Sequence, residues 1–217
     1  MSQDSRQRLL QSAIEHFAAK GYEGATVRDI CETAGLNVNA VKYYFEDKRT
    51  LHAAAVTEAH HLAMQDKPFT EIPTTGTPQE KLRQFIHQTM GIVFGGERRD
   101  QPHHLLLARE LTDPSETTAQ FFKTFVKPRF DFLEQTLQAL LPKGFPGTER
   151  RLLVLSVIGQ CMHYRVGAEV DKFMFPTGEY EKLTAERVAE HIYRVTLAAI
   201  EGYQTSSQSE IRSKPPI

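Results

Sequence analysis

Cysteine is scarce in this sequence and no long apolar run occurs, and each shortage excludes a class of protein. Among 217 residues there are two cysteines, Cys31 and Cys161, whose wide separation fits neither a disulfide framework nor the spacing of zinc ligands. We therefore expect reduced thiols and a cytoplasmic protein. The longest apolar run, around 152–158, is much shorter than a membrane span, and the polar start MSQDSRQR differs from a signal peptide. We expect no membrane association.

An excess of charge of one sign is also missing. The 26 Lys and Arg residues nearly balance the 27 Asp and Glu residues, for a formal net charge of −1. Residues 1–50 are balanced too, with seven basic and seven acidic side chains. Composition therefore gives no reason to expect a nucleic acid or an anionic membrane as partner, and any binding of DNA must depend on where a few charges lie.

The spacing of apolar residues over 5–65 predicts four short helices. In the first, Leu10, Ile14 and Phe17 recur at helical spacing, and Gly21 follows as the expected stop. The helix is therefore amphipathic, with one apolar face.

Capping residues mark the other three helices. Thr26 and Asp29 have the spacing of a capping box, and Gly35 ends the second helix after about two turns. Asn37 is placed to cap the third helix and Asp47 to start the fourth.

The remainder of the chain is also helical in pattern, and no stretch shows sustained strand alternation. We predict a loop at 67–77, which contains two prolines and a glycine, and a kink or division of one helix at Pro128. The predicted helices are 78–95, 102–112, 116–141, 148–172 and 184–204. The predicted domains are 1–50, 51–204 and a disordered tail at 205–217.

Two short helices joined by a tight glycine turn are typical of a helix-turn-helix, although a packed corner of any helical protein has the same pattern. The residues on the outward face of the third helix favour a helix-turn-helix that binds a partner. It carries Asn39, Lys42, Tyr43 and partly Tyr44, where a merely solvated helix would carry Glu and Lys. Amides and phenols at these positions indicate a partner.

The run GYEGATVRDICETAGLNVNAVKYYFEDKRTL resembles the DNA-binding region of TetR-type transcriptional regulators. The shared features are a Gly-aromatic step, a Thr-capped second helix, an Ala-Gly turn, a short third helix, and aromatic-Phe-x-x-Lys followed by Leu. The segment NVNAV resembles the CecR-like (YbiH-like) branch, as does the later LLVLSVIGQCMHYRVG. This resemblance implies an all-α protein of about nine helices, with an N-terminal three-helix DNA-binding domain and a C-terminal bundle for effector binding and dimerisation.

The resemblance, carried over position by position, implies phosphate contacts from the second-helix N-terminus and from Lys48, and base contacts from the third helix in the major groove. Lys42 stands where Tyr is common in the family. A charged phosphate contact at this position should make DNA binding depend more steeply on salt concentration. Three of these residues have an alternative role that does not involve DNA. Asn37 could be only a helix cap, Tyr44 a core residue, and Lys48 a solvated side chain beside Asp47. The implied DNA-binding residues are Thr26, Val27, Arg28, Asn37, Val38, Asn39, Ala40, Lys42, Tyr43, Tyr44 and Lys48.

The resemblance also implies an effector pocket in the C-terminal domain, although its aromatic residues are equally typical of a core. Arg109 is a candidate for an acidic effector or for an ion pair with Glu110. The candidate effector residues are His87, Met90, Arg109, Phe121, Phe125, Gln160 and Tyr164.

A homodimer is implied as well, because a palindromic operator is read by two copies. In the family the last two long helices pair with those of the second copy, and the alternative is an internal bundle face. The candidate interface residues are Val157, Cys161, Val188, Ile192, Val195 and Ala199.

Motifs of enzymes are not found: neither a phosphate-binding loop, nor a G-x-S-x-G elbow, nor H-E-x-x-H, nor a dinucleotide fingerprint occurs. Adjacent histidines such as His60 and His61 point about 100° apart on a helix and do not easily share an ion. We expect no catalysis, metal or cofactor. The expected function is a homodimeric repressor of a double-stranded, palindromic DNA operator, released by a small-molecule effector. The alternatives are an activating regulator without an effector and a helical interaction module.

Overall fold

The computed structural model describes residues 3–66, 72–94, 100–176 and 178–213, and these residues contain helices, turns and no strand. The all-α fold is thus confirmed. None of the described helices combines the length and the apolar character needed to cross a membrane. The α-helices are α1 (Gln3–Gly24), α2 (Val27–Thr33), α3 (Asn39–Phe45), α4 (Lys48–Asp66), α5 (Pro78–Phe94), α6 (Pro102–Thr112), α7 (Ala119–Phe121), α8 (Lys127–Leu140), α9 (Gly147–Val166), α10 (Ala168–Met174) and α11 (Ala185–Ser213).

The chain forms two compact units that are not consecutive in sequence. The first comprises Met1–Phe69 and Gly96–Lys127, and the second comprises Thr70–Gly95 and Pro128–Ile217. This division differs from the predicted boundary after residue 50. The reason is that α6 packs on α1 and α4, so a segment distant in sequence completes the N-terminal core.

The core of the first unit is built on one face of α1. Leu9, Ile14 and Phe17 are fully buried there, against the inward residues of α2, α3, α4 and α6. The Ser12 hydroxyl donates to the carbonyl of Ile30 at 2.8 Å and so fixes α2 on α1. Gly21 interrupts α1 with φ 71° and ψ 178°, a conformation that glycine adopts without the steric penalty of a side chain.

The core of the second unit comes from α5, α8, α9 and α11. The largest of its fully buried side chains are Leu82, Ile86, Met90, Leu133, Leu137 and Ile192. The predicted helix 148–172 is divided at Gly167, between α9 and α10. α11 continues to Ser213, beyond its predicted end at 204, which corrects the predicted tail over 205–213. Gln204 supports this extension by donating to the carbonyl of Leu140 at 2.8 Å.

The predicted helix 116–141 is also divided. A π-helical turn at Phe122–Val126 runs directly into α8, in which Pro128 is the second residue, so the missing N–H of the proline falls where the helical hydrogen-bond pattern changes. The prediction of a division near Pro128 is confirmed. Within the predicted loop at 67–77, residues 67–71 lie outside the described residues, and 72–77 are not helical.

Candidate nucleic-acid interface

Both ends of α2 are fixed by local hydrogen bonds that the sequence signals. At its N-terminus, the N–H of Asp29 donates to the Thr26 hydroxyl at 3.1 Å. At its C-terminus, Gly35 has φ 65°, and the N–H of Leu36 donates to the carbonyl of Cys31 at 2.8 Å. This is the Schellman arrangement, in which a glycine turns the chain left-handed after the last helical turn. The predicted cap and the predicted glycine turn are confirmed.

The outward face of α3 carries the polar and aromatic side chains expected there. Asn37 and Asn39 are exposed, and Tyr43 is 66% exposed. The Asn37 side chain accepts from the N–H of Asn39, the first residue of α3, at 3.0 Å, although the residue directly before the helix is Val38. Lys42 is also exposed. These side chains are therefore accessible to a partner along one face of a short helix.

Ala40 does not lie on that face. It is only 3% exposed, because it packs with Val41 and Phe45 in the core of the first unit. The structure thus corrects its assignment as a base contact, since its methyl group does not reach the surface. Val38, at 50% exposed, is the accessible apolar side chain beside it. Tyr44 is half-buried and meets the ring of Tyr43 edge to face at 4.8 Å.

Lys48 is the first residue of α4 and is held against the end of α1. Its Nζ lies 4.6 Å from the centre of the Tyr22 ring and donates to the carbonyl of Glu23 at 3.5 Å. An ammonium over an aromatic face is attracted by the ring quadrupole, so Tyr22 and the Glu23 carbonyl both contribute to holding this charge. Sequence reasoning did not identify Tyr22 or Glu23 as partners of Lys48. The only signal was the Gly-aromatic step of the resemblance.

Two acidic side chains of this region, Asp29 and Asp47, are hydrogen-bonded within the fold. The Asp29 carboxylate accepts from Lys20 Nζ at 2.9 Å, and this bond, with that from Thr26, lowers its pKa. Asp47 accepts from the N–H of Thr50 at 2.7 Å at the start of α4, which lowers the pKa of its carboxyl. Arg28, Lys42 and Arg49 are exposed, as are Glu32 and Glu46, so the surface around α3 carries charges of both signs.

The structure does not gather the predicted effector residues in one unit. Arg109, Phe121 and Phe125 belong to the first unit, whereas His87, Met90, Gln160 and Tyr164 belong to the second. Arg109 donates to the carbonyl of Ala18 at 3.2 Å and does not pair with Glu110. It lines a polar cleft of about 390 Å³ within the first unit, together with Tyr22 and Arg49.

The remaining effector candidates have diverse environments. Phe121 and Met90 are buried in separate cores, and Phe125 lies 4.3 Å from His60, ring to ring. Tyr164 stacks on Phe94 at 5.9 Å in the second unit. His87 lies 3.7 Å from Glu190, and Gln160 donates to the carbonyl of Ser156 at 3.2 Å. No grouping of three His, Cys, Asp or Glu side chains suited to a metal occurs among the described residues.

Four of the six predicted interface residues are buried within the chain itself. Val157, Cys161, Val188 and Ile192 are at most 2% exposed and belong to the core of the second unit. Their assignment to an interface is corrected, because their side chains already pack on neighbouring helices of the same chain. Val195 and Ala199 lie on the exposed side of α11.

Comparison with known protein families gives two matches along the chain. Residues 9–55 match the bacterial regulatory proteins of the tetR family, and residues 78–200 match the C-terminal domain of the HTH-type transcriptional dual regulator CecR. Together the matches cover the helix-turn-helix and most of the second unit.

Individual relatives agree with these matches. YttP of Bacillus subtilis, a probable HTH-type transcriptional regulator, is 31% identical over 58% of this chain and 59% of its own length. CecR of Shigella flexneri is 24% identical over 77% of this chain and 78% of its own. The chain spans less than two thirds of the length of the first curated relatives that it matches.

A solved structure shares the fold. AibR, crystallised with isovaleryl coenzyme A and operator DNA, aligns with a TM-score of 0.59 at 20% identity, covering 88% of this chain and 97% of that one.

Proposed function

This chain belongs to the TetR family of bacterial transcriptional regulators and to the branch with a CecR-type C-terminal domain, and on that premise we propose that it is a homodimeric repressor. In this proposal it binds a palindromic DNA operator through α3 and is released by a small-molecule effector. It acts in the cytoplasm, consistent with two free, buried cysteines, Cys31 and Cys161. No catalytic role is part of this function.

The main support for this proposal is the exposed face of α3. A short helix with accessible amides enters the major groove, where Asn37 and Asn39 would pair with base edges, since an amide matches the donor and acceptor of adenine. Val38, half exposed, would contact a thymine methyl. These side chains would set the sequence preference.

The phosphate contacts are proposed to flank this helix. Thr26 and the free N–H groups at Val27 lie at the N-terminus of α2, where an anion is favoured. Arg28, Lys42 and Tyr43 are exposed, and Lys48 is oriented by Tyr22. Tyr44 is assigned a lesser part, because it is half-buried. Contacts of this kind fix the register on the duplex and contribute most of the non-specific affinity.

A second copy of the chain would allow both half-sites of a palindromic operator to be bound at once. The support is a stripe on α9 whose apolar side chains face away from the core: Leu152, Leu155 and Val166 are 53%, 55% and 62% exposed. On α11, Val195 is 42% exposed and Ala199 lies one turn further on. Large exposed apolar patches mark interaction surfaces, and symmetric oligomers use the same patch twice.

An effector is supported by the resemblance in fold to AibR, whose crystal structure contains both isovaleryl coenzyme A and operator DNA. In the proposed mechanism the dimer exchanges between a DNA-competent and a DNA-incompetent conformation. An effector that prefers the second conformation lowers operator affinity by the ratio of its affinities for the two.

The phosphate assignment is tested with Lys48→Ala and a fluorescein-labelled duplex of random sequence, titrated by fluorescence anisotropy at several salt concentrations. Removing one charged contact should weaken binding about tenfold, and the slope of log affinity against log salt should fall by about one for each bound protomer. Lys143→Ala, an exposed lysine of the second unit, is the control and should change neither quantity. An unchanged affinity for Lys48→Ala would show that this residue is not a phosphate contact.

Base reading is tested separately by selecting binding sites from random DNA. Asn39→Ala should alter the selected sequence while keeping non-specific affinity, because an amide reads base edges. A promoter carrying the selected site should then be repressed in a reporter strain. Activation of that promoter, or failure to select any sequence, would contradict the proposal that the protein is a repressor.

A further inference from the structure

A polar cluster is buried in the otherwise apolar core of the first unit. His52, on α4, is 0% exposed, and Glu110, in the last turn of α6, is 2% exposed. Nε2 of His52 lies 3.2 Å from Oε1 of Glu110, and Nδ1 lies 2.5 Å from the hydroxyl of Thr117. The cluster therefore joins α4 to the end of α6 and to the turn that follows it.

The other carboxylate oxygen of Glu110 is held by the same turn. Its Oε2 accepts from the N–H of Ser115 at 3.2 Å, from the Ser115 hydroxyl at 3.1 Å and from the Thr118 hydroxyl at 2.9 Å. A carboxylate with contacts at both oxygens has one defined position. His52 meets the first oxygen through an ion-pair contact at 3.2 Å, without a hydrogen bond at Nε2 among the described residues, and its Nδ1 is within hydrogen-bond distance of the hydroxyls of Thr117 and Ser115.

The imidazole in turn contacts the end of α1. Its ring is 4.5 Å from the ring of Phe17 and 5.0 Å from that of Tyr22, edge to face in both cases. The ammonium of Lys48 lies 4.6 Å from the centre of the same Tyr22 ring. Lys48 and His52 are four residues apart on α4, so both contact Tyr22 from the same side of that helix.

Stability alone does not account for this arrangement. Burying charged or polar groups costs desolvation energy, and apolar side chains of similar volume often replace a buried ion pair without loss of stability. A cluster of this kind does, however, select one arrangement of the helices, because a shift would remove the hydrogen bonds that the buried Glu110 carboxylate accepts from Ser115 and Thr118.

We infer that His52 and Glu110 are positioning residues for DNA binding, which act through Tyr22 and Lys48 without touching DNA. Glu110 fixes the imidazole, the imidazole fixes the Tyr22 ring, and that ring fixes the ammonium that clamps the phosphate. The end of α6 thereby controls a phosphate contact at the start of α4. This inference rests on the proposed function, because it requires Lys48 to contact DNA.

A double-mutant cycle tests the inference with Glu110→Ala, Lys48→Ala and the combined variant, each titrated against the labelled random duplex over a range of salt. Glu110→Ala should weaken binding on the order of fivefold in the wild-type background and change it by less than about twofold in the Lys48→Ala background. It should also lower the salt slope as Lys48→Ala does, although Glu110 is buried. A purely structural role would leave that slope unchanged.

Tyr22→Leu provides a second route if Glu110→Ala does not fold, because it keeps an apolar side chain and removes the ring that Lys48 contacts. The same loss of affinity and the same dependence on Lys48 are expected. If Lys48→Ala binds DNA normally, the phosphate assignment in the proposed function fails. If Lys48→Ala weakens binding but the folded Glu110→Ala and Tyr22→Leu variants do not, or weaken it equally in both backgrounds, the positioning role is overturned and the proposed function stands.

Discussion

Glu110 shows how burial and hydrogen bonding compete at a single carboxyl group. Burial by itself raises its pKa, but contact with His52 and the hydrogen bonds from the Ser115 N–H and the Thr118 hydroxyl outweigh burial, and the pKa lies below its ordinary value of 4.5. A carboxyl whose pKa is lower in the folded state than in the unfolded chain stabilises the fold above the unfolded pKa. That stabilisation is lost as the pH falls through the folded pKa.

The lowered pKa of Glu110 gives a prediction for Glu110→Gln, which keeps the shape of the side chain and removes its charge. The variant should be less stable than the wild type by about 1 kcal/mol at pH 7, because hydrogen bonds to a charged acceptor are stronger. The difference should persist down to about pH 4.5 and diminish below it, as the wild-type carboxyl becomes protonated. Urea unfolding of both proteins between pH 3 and pH 7 measures this difference, and a gap that widens in acid would contradict it.

At the scale of the element, α2 is too short to be stable alone. Seven residues form barely two turns, and isolated helices of this length are not populated in water. Its conformation therefore depends on the Thr26 cap, the Gly35 turn and the packing of Ile30 and Cys31 on α1. The same cap presents the N–H groups proposed to meet phosphate.

Removing the cap should consequently affect both folding and binding. Thr26→Ala is expected to reduce the free energy of unfolding by about 1 kcal/mol and to weaken binding to the labelled duplex. Thr26→Ser is the matched control, because it keeps the hydroxyl and should retain most of both properties. Thermal unfolding and anisotropy measure the two effects. Equal behaviour of the Ala and Ser variants would show that the hydroxyl does not serve as a cap.

For the whole molecule, the second unit presents apolar side chains in two directions. One set on α9 and α11, including Val157 and Ile192, fills the core of the unit. Another set, including Leu152 and Leu155 on α9, is more than half exposed. The inward set accounts for the fold, and the outward set is available to the proposed second copy.

Leu155→Glu should therefore dissociate the dimer without unfolding the chain, since it places a charge in an apolar interface but not in the core. Sedimentation equilibrium should show the mass of a monomer at concentrations at which the wild type is a dimer. Gln11→Glu adds the same charge to an exposed position on α1 and is expected to remain dimeric. Circular dichroism checks that both variants stay helical, and a dimeric Leu155→Glu would exclude this face.

The sequence by itself determined the local features. The Thr26 cap, the Gly35 turn, the all-α class and the start of α5 at Pro78 follow from signals within a few residues of one another, and helix capping and turn formation act over that range. The resemblance that placed Lys48 at a phosphate clamp was likewise carried by a short, ordered motif.

Tertiary structure decided which side chains face inward and which distant segments meet. Helical spacing shows that Val157 and Leu155 lie on different faces, but either face could contact a neighbour, and only packing assigned the first to the core. Likewise Ala40 is close in sequence to the exposed Asn39, yet it is buried. His52 and Glu110 are 58 positions apart in sequence, and their pairing depends on α6 packing on α4, because non-local contacts arise only when the chain folds back on itself.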